Sequence, residues 1–148
     1  MLGMNSNLFN PTHFSSSQVV GLIGFGALLW GIGVIKIQYA GHILYVSSWG
    51  RIGTFITTIP LGYALIVLTE RIFRVPSSQR LPMVAIVGST TLIMDGLAYS
   101  FFPMLYENKS IKRTNPRSAV ALSRIGAGWL LYGTGLCFAL AIWTTRSF

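Results

Sequence analysis

The sequence predicts an all-α membrane protein, a bundle of four transmembrane helices arranged as two hairpins. Hydrophobic residues make up 52% of the chain and charged residues only 9%, against roughly 25% charged in a soluble domain. Four apolar runs are each long enough for the ~30 Å of bilayer hydrocarbon at ~1.5 Å per helical residue. Charged and turn-forming residues gather between those runs. A chain of 148 residues is expected to be one domain, residues 1–148, with helices at about 18–36, 48–69, 82–105 and 117–145.

Residues 1–18 contain no Lys or Arg. That excludes an ordinary signal-peptide n-region and an Arg-rich transit peptide, so the first span is expected to stay in the mature protein. Asn10-Pro11 signals a turn, and Ser15, Ser16 and Ser17 offer N-caps for the first helix. Val19 to Ile35 carries no charge and ends at Lys36, which reads as a transmembrane helix. Gln38 to Gly50 reads as the first connection, with Tyr39, His42, Tyr45 and Trp49 at headgroup level.

Ser47 or Ser48 can cap the second helix. Pro60 should kink it and free the Ile56 carbonyl, with the hydroxyls of Thr57 and Thr58 near enough to help satisfy the opened backbone. The second connection, Glu70 to Pro82, carries Arg71, Arg74 and Arg80 around Pro76-Ser77-Ser78. The third helix is expected to stop near Pro103. The third connection holds Lys109, Lys112, Arg113 and Arg117, and Asn115-Pro116 supplies a cap and a first helical residue for the last helix.

The formal charge is +8, from 11 Lys and Arg against the acids Glu70, Asp95 and Glu107. The cations flank the apolar runs, where they anchor helices to anionic headgroups. No basic stripe interleaved with aromatics lies outside the runs, so nucleic-acid binding is not expected. Lys36, Arg51, Lys109, Lys112, Arg113, Arg117 and Arg124 fall on the side of the first and third connections. Arg71, Arg74, Arg80 and Arg146 fall on the side of the termini. Seven against four favours the first side as cytoplasmic or matrix-facing. Asn108-Lys109-Ser110 is a glycosylation sequon; on that inward side it is expected to be silent.

Helices one and four share a pattern. Gly24, Gly26, Gly31 and Gly33 surround Leu28-Leu29-Trp30, and Gly126, Gly128, Gly133 and Gly135 surround Leu130-Leu131-Tyr132. Glycines seven apart return to nearly one helix face and permit close backbone approach in lipid. These eight are expected as helix-packing positions, with helix one against helix four. A second echo pairs Arg51-Ile52-Gly53 with Arg124-Ile125-Gly126.

Asp95 is the one acid inside an apolar run, and a carboxylate at that depth is expensive unless paired, protonated or functional. It lies about 12 Å below the Pro103 end of its helix, while Arg51 enters from the same side roughly 6 Å deep. Arg124 enters there too. The expectation is an intramembrane charge cluster of Asp95 with Arg51 and Arg124, either a structural ion pair or, less favoured, a proton relay, ion site or ligand counter-ion.

Other chemistry finds little support. Cys137 stands alone in an apolar run, and His13 and His42 fall outside the runs, so a Cys metal site and a bis-His haem are not expected. Met94 and Met104 read as packing. No catalytic Ser-His-Asp order, phosphate loop or zinc spacing occurs, which disfavours an enzyme. No cofactor or metal is expected, although a bound lipid or pigment would fit.

Three segments together resemble an uncharacterised family of small four-helix membrane proteins, classed as a domain of unknown function. They are Leu28-Leu29-Trp30 with Lys36 and Gly41 after it, Met94-Asp95-Gly96-Leu97-Ala98 followed by Phe101-Phe102-Pro103, and Gly128-Trp129-Leu130-Leu131-Tyr132. The resemblance implies the four-helix topology and draws attention to Asp95; it implies no activity.

Two function classes are left. One is a non-catalytic accessory or structural subunit of a larger membrane complex, respiratory or photosynthetic in type, with other membrane subunits and lipids as partners. The other is a free-standing small transporter or a lipid- or quinone-binding protein that uses Asp95. Composition does not distinguish an organelle inner membrane, a thylakoid and a plasma membrane.

Overall fold

The structure is a computed structural model, and it describes residues 14–112 and 115–146. Four long helices make up the bundle: α1 (Ser16–Leu44), α2 (Ser48–Phe73), α3 (Arg80–Phe101) and α5 (Pro116–Arg146). A single turn, α4 (Lys109–Lys112), sits in the third connection, and short 3-10 turns occupy Ser77–Gln79 and Pro103–Tyr106. All four long helices are long and apolar enough to cross a membrane. Their outward faces carry large apolar side chains such as Val20, Ile43, Ile93 and Leu131, as lipid-facing helices require.

Each helix starts and stops for a local reason. The Ser15 hydroxyl accepts from the Gln18 backbone N–H at 3.2 Å while the Gln18 side-chain oxygen Oε1 accepts from the Ser15 N–H at 3.0 Å, a reciprocal cap. Ser47 caps α2 through the Gly50 N–H at 2.9 Å. Arg74 closes α2 in the left-handed region, φ 51°. Arg80 then turns back on Glu70 with Nε at 2.5 Å and Nη2 at 3.0 Å. This two-point contact pins the second connection.

Three boundaries differ from those read in the sequence. α1 continues to Leu44, absorbing Gln38, Tyr39 and His42 into the helix. Lys36 and the aromatics mark where the chain meets headgroups, not where backbone hydrogen bonding ends. The helix continues because no proline interrupts it. α2 likewise runs on to Phe73. α3 stops at Phe101, earlier than expected, with Phe102 at φ −135°, ψ 53°; Pro103 has no N–H to donate and excludes helical geometry from the residue before it.

The expected hairpins are present, but the closest contact joins helices of different hairpins. α1 packs chiefly on α3 and runs parallel to it: Gly26 faces Val87 and Thr90, Trp30 reaches Asp95, and the Ile37 carbonyl accepts from Asn108 Nδ2 at 3.2 Å. α5 packs on α3 and on α2, and touches α1 where Gly126 meets Ile37 and Leu130 meets Gly33. α2 and α1 meet near Phe73, whose carbonyl accepts from Gln18 Nε2 at 2.9 Å. Two apolar cores result, one around Ile37, Tyr106 and Trp129, the other around Leu22, Ile66 and Met83.

Candidate functional site

The glycine pattern resolves into one packed and one open strip on each helix. A Cβ at Gly26 would lie 2.8 Å from the Val87 carbonyl oxygen, one at Gly33 2.6 Å from Leu130, and one at Gly126 2.7 Å from Ile37. Gly133 has room, with Thr58 at 3.6 Å. Gly24, Gly31, Gly128 and Gly135 have nothing within 4 Å. The expected packing of the first helix on the last therefore holds at Gly33 and Gly126 alone; Gly26 packs on α3 instead, because α1 lies chiefly against that helix, and the other strip of each helix faces away from the bundle. The inward strip is the second glycine of each pair in α1 but the first in α5, so the two sequence repeats are not structurally equivalent. The Arg-Ile-Gly echo fails in the same way, since Gly126 is packed and Gly53 has nothing within 4 Å.

Asp95 is half-buried on the inner side of α3, and its partners are not the arginines. Its Oδ1 accepts from Tyr106 Oη at 2.5 Å and from Trp30 Nε1 at 2.9 Å. The same indole N–H lies 3.2 Å from the Tyr106 oxygen. Arg51 turns instead to the Ser48 hydroxyl at 3.1 Å, and Arg124 is exposed. Among the described residues the ion pairs are Arg80 with Glu70 and Lys112 with Glu107. Arginine at these depths reaches water or headgroups more cheaply than it crosses to a buried acid, and the neutral donors of Trp30 and Tyr106 are already in place. Tyr106 has no solvent exposure, and its ring lies 5.4 Å from that of Tyr99. Burial first, and then the bond to Asp95, push its phenol well above the ordinary range.

Asp95 stands on the wall of a cleft that all four long helices line, with a volume of about 340 Å³. Gly33, Gly62, Gly88 and Gly133 leave room for it, and Leu61, Leu65, Ile66, Met83, Val84 and Val87 give it an apolar surface. Ile32 and Leu61 are both lining and exposed, which places them at its rim. Polar groups gather at one end. Lys36 stands there with its ammonium 3.9 Å from the centroid of the Trp129 ring, a cation–π contact. The Trp129 N–H donates to Thr58 Oγ1 at 2.7 Å. The Thr58 hydroxyl in turn donates to the Thr54 carbonyl at 2.8 Å, and that of Thr57 lies 2.9 Å from the Gly53 carbonyl. These carbonyls lie two and three residues before that of Ile56, which Pro60 leaves open.

Sequence reasoning identified Asp95 but missed Trp30, Lys36, Thr58, Tyr106 and Trp129 as its surroundings. The usable signal was register: if α1 and α3 run parallel, an indole on α1 falls level with Asp95. Asn108 is fully buried, with Nδ2 on the Ile37 carbonyl, so the sequon is closed to glycosylation in the folded chain. His42 lies in the last turn of α1, inside a candidate span rather than outside it. His13 lies outside the described residues. Met104 is exposed and Met94 half-buried. Among the described residues, no three His, Cys, Asp or Glu side chains come together as metal ligands.

In comparisons with known proteins, the chain matches no family model, no curated protein and no solved structure.

Proposed function

We propose that this is a non-catalytic membrane protein that holds a molecule with an apolar chain, of the lipid or quinone type, in the cleft within its bundle. The supporting observation is the cleft itself, an apolar volume of about 340 Å³ with Asp95, Lys36 and two tryptophans at one end. Pockets of roughly 300–1,000 Å³ with apolar walls and a few placed polar groups are the usual form of small-molecule sites. A void of that size also strips its lining of packing contacts, which an occupant restores.

The test is to purify the protein in mild detergent and identify the lipids that stay bound, alongside Leu65→Trp, which fills the cleft from α2. The variant should lose the bound molecule and keep its helical spectrum. Retention of the same molecule by the filled variant would overturn the proposal.

The accessory-subunit reading is favoured by a separate observation. Gly24 and Gly31, and Gly128 and Gly135, present open strips to the outside of the bundle, where a helix of another subunit could approach closely. Comigration with a large assembly on a native gel supports that reading; a species near the monomer or a small oligomer counts against it.

A further inference from the structure

We propose that the cleft selects a neutral lipid whose head group carries a hydroxyl, seated with that hydroxyl on Asp95 and its chain running toward Met83 and Thr69. This inference rests on the cleft reading above and specifies the ligand. The seating follows from where donors and acceptors are uncommitted. The hydroxyls of Thr69, Thr91 and Thr134, which line the body of the cleft, each donate to a carbonyl of their own helix, at 2.6, 2.7 and 3.0 Å. Thr58 does the same at 2.8 Å. A head group placed along that length could donate to a threonine oxygen but would find no donor among these hydroxyls for its own carbonyl or ether oxygen.

The polar end differs. Both bonds to Asp95 land on Oδ1, and Oδ2 has no protein partner among the described residues. Lys36 faces the Trp129 ring, and its ammonium has no oxygen acceptor among them. One acceptor and one donor are thus open at the same end of an apolar cleft. A hydroxyl donates to Asp95 Oδ2, and an ester, ether or carbonyl oxygen beside it accepts from Lys36. Charge decides between a neutral and an acidic head. Lys36 and Asp95 are formally opposite and cancel, so a neutral head leaves the cleft balanced. A carboxylate head would bring one uncompensated negative charge next to Asp95 in a medium that solvates it poorly.

The test uses delipidated protein and three probes of equal chain: monooleoylglycerol, methyl oleate, which keeps the ester but lacks the hydroxyl, and oleate. Native mass spectrometry reads the affinity of each. Monooleoylglycerol should bind at least about tenfold tighter than either of the others, as a hydrogen bond to a charged acceptor implies. Asp95→Asn should narrow that preference and favour oleate, because Lys36 then stands alone. Oleate binding tightest to the parent protein would overturn the inference. Equal binding of all three would also overturn it while leaving the cleft as a binding site for apolar chains. If none binds and Leu65→Trp displaces nothing, the cleft reading fails as well. The comparison of probes on the parent protein needs no variant, so it decides the question even if Asp95→Asn does not fold.

Discussion

Gly26→Ala and Gly128→Ala make the same chemical change in two membrane helices and should move stability in opposite directions. In both, alanine raises intrinsic helix preference by about 1 kcal/mol over glycine. At Gly128 nothing stands within 4 Å of the new methyl, so the gain is kept. At Gly26 the methyl meets the Val87 carbonyl oxygen at 2.8 Å and Thr90 Cβ at 2.9 Å. Neither is the far end of a flexible side chain, so α1 and α3 must separate along their closest contact. Overpacking of this kind costs about 1–3 kcal/mol. Gly26→Ala should therefore end up about 0–2 kcal/mol less stable than the parent, and the two variants should differ by about 1–3 kcal/mol. Unfolding in mixed detergent and SDS, followed by circular dichroism, measures both. A difference below about 0.5 kcal/mol, the scatter of independent sites, would refute the packing of α1 on α3 through this face. The larger change Gly128→Leu, which the sequence pattern marks as disruptive, should be tolerated for the same reason.

Two further outcomes follow from the polar contacts. Tyr106→Phe should cost about 1.5–3 kcal/mol, the range for a hydrogen bond to a charged group. In double-mutant cycles Asp95→Asn should couple to it by more than about 0.5 kcal/mol and be additive with Arg51→Gln or Arg124→Gln; coupling to an arginine instead would restore the ion pair read from the sequence. Tyr45, beyond the end of α1 and 1% exposed, has its phenol pushed up by burial to about 12. Because its folded value exceeds the unfolded value near 10, its contribution is complete below pH 10 and is lost between about 10 and 12, as the unfolded chain gives up the proton first. Ultraviolet titration should show two phenols ionising late, those of Tyr45 and Tyr106, and Tyr45→Phe should remove one of them and flatten the alkaline loss of stability.

The helices were legible because hydrocarbon thickness imposes length and apolarity on each span, and local chemistry marked several ends: Ser15, Ser47 and Asn115 cap where expected. Ends set by headgroup-level residues were misread, as at Gln38, because a membrane boundary and a helix boundary are different physical events. Asp95 was visible as a buried acid, but its partners depend on which helices are neighbours, and that depends on packing detail. Arg51 and Arg124 share its depth by counting residues, yet counting along one helix says nothing about rotation around it. Trp30 wins because the Gly26 face brings α1 against α3 with its indole turned inward. The glycine repeats misled for the same reason: a seven-residue spacing marks a strip without saying which strip faces a neighbour.

Because α1 packs chiefly on α3 rather than on α2, the bundle cannot be completed one hairpin at a time. Chains are made from the N-terminus, so α1 and α2 exist before the helix that covers Gly26 and supplies the acceptor for Trp30. Until then the first hairpin is held mainly around Phe73, by its carbonyl contact with Gln18 and its ring against Phe25, and the Trp30 indole lacks its Asp95 acceptor. Synthesis of α3 brings Asp95, and Tyr106 follows eleven residues later. The tertiary structure is thus set after the membrane topology, in a late step that joins the two halves. A chain cut at the exposed Ser77–Ser78 turn should yield halves that insert separately but acquire a defined structure only together.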